Sequence, residues 1–332
     1  MHLLGIMVLV AGLAFQAQVA SAQTSLPTSS SGRQTWPQKP IRAVVPYAAG
    51  STTDIVPRVL FEQLAMQLGQ PIIVDNRAGA VGTIGATLVA RSEADGHTLL
   101  VNSSAHAIAP SLYPWLGYDP ARDFAAVIPI GVSPAVLVVA PTPGFKTAAD
   151  FVAAAKARPG TFNFSSVGVG SATHLSAERF RLSAGVDAVH VPFKGGAEAM
   201  NEVVAGRIDF FFGPLGLVLP AVRDGRLAAL AVNASSRAAA LPDVPTTREA
   251  GFVDAEYPIW FGIFAPSGTP REIIDRLHRE AEKALQQPAV RDKLDNLGVE
   301  PMRMTPTELD DHVKREIAAN SVLVKASGLK PN

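Results

Sequence analysis

IRAVVPYAAGSTTD, residues 41–54, sets the reading of the whole chain. An apolar, partly β-branched run (41–46) ends in a glycine-containing loop, and the loop ends in Ser51-x-x-Asp54. That spacing fits a helix start, with a hydroxyl and a carboxylate placed to receive orphan backbone N–H groups. Strand, glycine loop and helix N-terminus form the unit from which parallel sheets with covered faces are built.

The unit recurs outward from there. Further strand runs are expected at 71–76, 98–103, 125–130, 135–140, 162–167, 188–193, 208–213, 227–232 and 261–266, with helix-length segments between most of them. Thr147-x-x-Asp150, Thr269-x-x-Glu272 and Thr305-x-x-Glu308 repeat the capping-box spacing, with Pro270 and Pro306 expected at N1. Gly69, Pro159-Gly160, Gly206 and Gly298 read as helix stops. The fold class is therefore α/β.

Ligands of open α/β sheets bind beyond the carboxyl ends of strands. The loops found there are PYAAGSTTD (46–54), NRAGAVGTIG (76–85), NSSAH (102–106), SSVGVGSATH (165–174) and FKGGAE (193–198). Each combines glycine, hydroxyls and a helix start, a chemistry that holds an anion on N–H groups and the helix dipole without a fixed cation. Because they divide between two halves of the chain, they predict a cleft closing on a carboxylate or phosphate from both sides.

Composition bounds the alternatives. The chain has 332 residues, 48% of them hydrophobic, enough for a real core and for two domains or one large one. Its 29 basic and 29 acidic side chains balance, which argues against a nucleic-acid partner. Four tyrosines and three tryptophans leave few platforms for stacking bases. Without cysteine there is no disulfide, thiolate zinc site or thiol nucleophile. Residues 1–22 lack Asp, Glu, Lys and Arg, and LLGIMVLVAGLAF (3–15) followed by Ala20-Ser21-Ala22 reads as a signal peptide cleaved after Ala22. Residues 23–35 read as a flexible tether, so the mature protein is expected in the periplasm.

Enzymatic readings find little footing. GAVGTIG (79–85) has G-x-x-G-x-x-G spacing rather than the dinucleotide fingerprint. No G-x-S-x-G elbow occurs in the serine-rich loops. Ser171 and His174 stand one helical turn apart, and neither His106 nor His174 has a carboxylate partner in sequence reach. No histidine spacing suggests a metal, and no cofactor is called for. Asp54 reads also as a plain helix cap, and Lys194 either as a ligand partner or as a solvated loop lysine. Phe210-Phe211-Phe212 reads as core strand with one ring reaching the cleft.

Seven segments in order resemble the Bug receptors, the extracytoplasmic solute receptors of tripartite tricarboxylate transporters. They are WPQKPIRAVVPYAAGSTTD, GQPIIVDNRAGAVGTIGA, ADGHTLLVNSS, SSVGVGSATHLSAERF, VPFKGGAEAM, LPDVPTTREAG and WFGIFAPSGTP. The resemblance implies a two-lobed, flytrap-like periplasmic binding fold of type II, each lobe a mostly parallel sheet flanked by helices. Lobe 1 is expected over 36–138 and again over 235–332, lobe 2 over 139–234, with hinges near 130–142 and 232–245. The implied ligand is a di- or tricarboxylate or an aromatic acid, delivered by a monomeric, non-catalytic receptor to membrane subunits of the transporter. A sensory receptor presenting ligand to a signalling protein, and an exported hydrolase, are the competing readings.

Carried over by residue, the first-lobe cradle is Tyr47, Ala48, Ala49, Gly50, Ser51, Thr52, Thr53 and Asp54, with Ser103 and Ser104. The second lobe offers Ser166, Gly168, Gly170, Ser171, Thr173 and His174, with Lys194 and Gly195. Ser51, Ala78 and Val81 stand where the family commonly has Gly, Pro and Gly, which bulks the first-lobe rim. Amino-acid-binding members often carry an acidic residue after the IDFFF-type strand; here Gly213 and Pro214 follow, implying a ligand without an ammonium group.

Overall fold

The computed structural model describes residues 36–113, 115–141 and 145–329, so the signal-peptide and tether readings lie outside the described residues. All ten expected strand runs are strands. They are β1 (Ile41–Val45), β2 (Ile72–Asn76), β3 (Thr98–Ser103), β4 (Phe124–Ser133), β5 (Ala135–Val139), β6 (Phe162–Ser166), β7 (Ala188–Pro192), β8 (Phe210–Pro214), β9 (Ala228–Asn233) and β10 (Ile259–Pro266). The helices are α1 (Thr52–Leu68), α2 (Thr83–Ala90), α3 (Ala109–Leu112), α4 (Ala148–Ala157), α5 (Ala172–Ala184), α6 (Gly196–Val204), α7 (Leu215–Arg223), α8 (Arg271–Leu285), α9 (Pro288–Asn296) and α10 (Pro306–Ser327).

The strands form two five-stranded sheets, ordered β2-β1-β3-β10-β4 and β7-β6-β8-β5-β9. β10 is antiparallel to both its neighbours and so is β5, while the pairs β1–β2, β1–β3, β6–β7 and β6–β8 are parallel. Each sheet is thus the same mixed pattern, flanked by helices, and the fold is α/β and two-lobed. The odd strand in each is the one by which the chain arrives from the other lobe: β5 follows β4 across Pro134, and β10 follows β9. Central strands carry near-continuous apolar runs, as sheets covered on both faces require; every residue of β5, β8 and β10 is buried.

Two of the four capping boxes form, at Thr147/Asp150 and Thr305/Glu308. At α8 the helix begins at Arg271 with Pro270 as N-cap rather than N1, which leaves Thr269 a residue too early to cap. At α1 Ser51 is the N-cap, yet its side chain makes no capping bond. The Asp54 carboxylate is instead drawn outward by Arg58 and Asn76 and back to the N–H of Gly50. The head of α1 therefore carries a serine hydroxyl that the helix itself does not use.

Candidate functional site

A cavity of about 290 Å³ lies between the carboxyl-end loops of the two sheets. It is lined by Tyr47, Ala48, Ala49, Gly50, Ser51, Thr52, Thr53 and Ser103 from one lobe and by Ser171, Thr173, Lys194 and Gly195 from the other. Twelve of the sequence-predicted residues therefore share one cavity. A second cavity, about 300 Å³, is bounded by β4, α8, α9 and residues 301–308 and contains none of them. Its walls come from the lobe of the first sheet only.

The first-lobe cradle is the start of α1. Gly50, at φ 81°, turns the chain so that Ser51 and the free N–H groups of Thr52 and Thr53 face the cavity. Asp54 is not a lining residue; it holds the turn from behind. Its Oδ2 accepts from Gly50 N–H (2.9 Å) and its Oδ1 from Arg58 (2.8 Å) and Asn76 (3.0 Å), while Asn76 also donates to the Tyr47 carbonyl. Burial pushes this carboxyl upward, but Arg58, Gly50 N–H and Asn76 outweigh it and hold it below the usual range. Asp54 N–H bonds the Ser51 carbonyl (2.9 Å) rather than its side chain, and the Ser51 hydroxyl is left buried without a hydrogen-bond partner. The buried Tyr47 hydroxyl, beside Ser103, also completes no hydrogen bond of good geometry, and burial pushes its pKa up to about 12, so it stays a neutral donor. A buried hydroxyl with no partner costs free energy, and one that faces a cavity is a donor waiting for a ligand.

The second lobe is more committed. Ser171 Oγ caps α5 by accepting from His174 N–H (3.3 Å), Thr173 Oγ1 accepts from Val167 N–H (3.1 Å), and the two hydroxyls lie 3.1 Å apart. One proton is shared between them, which leaves a single O–H to donate outward. Lys194 supplies the only charged side chain among the lining residues.

The remaining predicted residues shape the walls. Ser104 is buried toward Tyr257, outside the cavity. Ser166 Oγ clamps its own loop through Gly168 N and O and meets His190 Nε2 at 2.6 Å. Gly168 and Gly170 hold the loop at φ 120° and 76°. His174 accepts Gly170 N–H on Nδ1 (2.9 Å) and stacks on His190 at 3.6 Å between ring centroids. Burial pulls the His174 and His190 pKa values down to about 3 and about 4, His190 and Arg181 adding to the depression at His174. Both rings are therefore neutral props under the loop. Ser166 and His190 approach a hydrolytic couple in distance only, because Ser166 is fully buried and lines no part of the cavity.

Val167, Ala172, Gly196 and Ala197 line the cavity from within the collected loops though the sequence does not single them out, and the residues missed by the loop rule are Pro214, Leu217, Ile259 and Phe261. Ile259 and Phe261 lie at the amino end of β10, and β10 runs antiparallel, so its beginning sits level with the carboxyl end of β3: Phe261 pairs with Ser103. A rule that collects residues after strands cannot find the floor of such a cleft. Phe210, Phe211 and Phe212 are all fully buried, and none lines the cavity.

Among known proteins, the family whose sequence profile is described as "Tripartite tricarboxylate transporter family receptor" matches residues 56–329. The protein BugT of Bordetella pertussis is 36% identical over 314 residues, 94% of this chain and 95% of BugT. A solved R. palustris protein with adipate is 34% identical at a TM-score of 0.83, covering 90% of this chain and 100% of that one. MatC from Rhodopseudomonas palustris with bound malate is 35% identical at a TM-score of 0.80, covering 87% of this chain and 99% of MatC.

Proposed function

Because the chain belongs to the tripartite tricarboxylate transporter receptor family, of periplasmic solute-binding proteins, we propose that its cleft captures a small carboxylate lacking an ammonium group. On this reading it delivers the ligand, without chemical change, to the membrane subunits of a transporter. The carrying observation is the buried, unpartnered Ser51 hydroxyl at the start of α1, facing a cavity whose lining holds Lys194 and no acidic side chain. Helix dipole, free N–H groups and hydroxyls solvate a carboxylate there; Ile259, Phe261, Pro214 and Leu217 accept its apolar body. The expected lobes, 36–138 with 235–332 and 139–234, need one shift: β5 (Ala135–Val139) belongs to the second sheet, so the first boundary moves back to Pro134, inside the proposed hinge near 130–142, with the return hinge near 232–245. Export with cleavage after Ala22 completes the reading, and the intact mass of periplasmic protein tests it.

Calorimetric titration against adipate, malate, aromatic acids, aspartate and glutamate is the direct test. A deaminated acid should bind more tightly than its amino-acid counterpart; the reverse order would overturn the reading. Ser51→Ala should weaken binding by about 1.5–3 kcal/mol, a charge-assisted hydrogen bond, with the melting temperature unchanged or raised. Ser51 suits this better than Ser171, whose hydroxyl also caps α5. Lys194→Gln should weaken binding and remove most of its salt dependence.

A further inference from the structure

We infer that Gly216 and the Leu297–Gly298 turn form a backbone-to-backbone pivot on which the two lobes bear, positioning the cleft walls without touching the ligand. This rests on the two-lobed binding reading and extends it to how closure is aligned.

Gly216 is the second residue of α7, in the second lobe, with no positive φ to explain a glycine. Glycine inside a helix is disfavoured by roughly 1 kcal/mol relative to alanine, so something else must require it. Space does. A Cβ on Gly216 would lie 2.0 Å from the Leu297 carbonyl oxygen, 2.7 Å from its carbon and 3.1 Å from its Cα. Those atoms are main chain of the turn after α9, in the first lobe, and no rotamer can move them aside. The approach is mutual, since a Cβ on Gly298 would meet Gly216 N at 3.0 Å and Leu215 Cγ at 2.9 Å.

The contact sits beside a crossover. Leu215 N–H donates to Pro134, the residue joining β4 to β5, at 2.9 Å. Past the turn, Glu300 exchanges both backbone hydrogen bonds with Val132 at the end of β4 (2.7 and 2.9 Å). The turn is thereby tied to the first sheet, and Gly216 lies between Pro214 and Leu217, both of which line the cleft. At another interlobe contact the obstruction is of a different kind. A Cβ on Gly170 would strike Leu112 Cδ1, the tip of a flexible side chain. That contact can yield, whereas the main chain facing Gly216 cannot, and the bearing is therefore assigned to Gly216.

The chain has no cysteine, so Met66→Cys in α1 and Val189→Cys in β7, both exposed positions, place one spin label on each lobe. Distance distributions are recorded without ligand and with adipate as probe, in the parent, in Gly216→Ala and in Leu217→Ala. Gly216→Ala should keep a cooperative melt, lengthen the ligand-free interlobe distance by a few ångström and weaken adipate binding about tenfold or more, as loss of the competent population demands. Leu217→Ala trims the neighbouring wall and should change affinity without changing distance. The pivot is overturned if Gly216→Ala retains the parent distances, if it loses its cooperative melt (a core contact, not a bearing), or if Leu217→Ala shifts the distance equally. A parent that ignores adipate would count against the ligand reading alone, because the ligand-free distances still judge the pivot.

Discussion

Lowering the pH from 7 to 5 should cost the folded protein about 4 kcal/mol of stability. His106 and His174 have pKa values pulled down to about 3, and His190 to about 4, each chiefly by burial. In the unfolded chain they titrate near 6.5. Below that value the unfolded state takes up protons that the folded state refuses, so stability is present above the unfolded pKa and drains as pH falls toward the folded one. Over this window each ring contributes about 2 kcal/mol of loss. Glu316 opposes them. Burial raises its carboxyl to about 7, so the folded form takes a proton first on acidification and regains about 2 kcal/mol. Urea melts at pH 7, 6 and 5 measure the balance, and His190→Gln should flatten the slope by one ring's share. Stability that rose by about 2 kcal/mol toward pH 5, the share of Glu316 alone, would mean that these rings titrate as solvated ones do.

The second large effect belongs to a residue that never touches the cavity. Asp54→Ala should destabilise the protein by about 3 kcal/mol and weaken ligand binding by at least as much as Ser51→Ala. Its carboxylate is nearly fully buried and satisfies Gly50 N–H, Arg58 and Asn76 together. Truncation strands those donors, and breaking a buried pair costs about 3–5 kcal/mol. Arg58 is half exposed and re-solvates, which places the expectation at the lower end. The binding loss comes from the released Gly50 turn, which aims Ser51 and the free N–H groups. Asp54→Asn keeps an acceptor but no charge and should recover part of both losses. Denaturant melts and titration of the same variants separate the two. Normal affinity in Asp54→Ala would show that the turn needs no support.

At this same residue sequence and structure part ways. Ser51-x-x-Asp54 has the spacing of a capping box, and spacing alone cannot reveal that Arg58 and Asn76, the latter at the end of β2, compete for the acid. Two of four boxes fail for such reasons, one from a tertiary competitor and one from Pro270 standing at the cap. The ten strands were all legible, because buried strands write themselves as apolar runs whatever their direction. Direction itself was not legible. It decides that β10 brings Ile259 and Phe261 to the cleft floor, and it emerges only from the pairing of Phe261 with Ser103. Twelve of the proposed site residues gather in one cavity because loops at the carboxyl ends of parallel strands converge by geometry. His174 and Ser166 do not, because their side chains are taken up in holding the loop.

The two antiparallel strands also impose an order of assembly. The second sheet is complete within 135–233, one uninterrupted stretch. The first has a gap between β3 and β4 that only β10, residues Ile259–Pro266, can fill. As a chain emerges amino-end first, its leading strands must wait, unpaired along one edge, for a segment more than a hundred residues behind them. Closing so long a loop is the slow step expected of non-local pairing. The part of the protein synthesised first is therefore the part that finishes folding last.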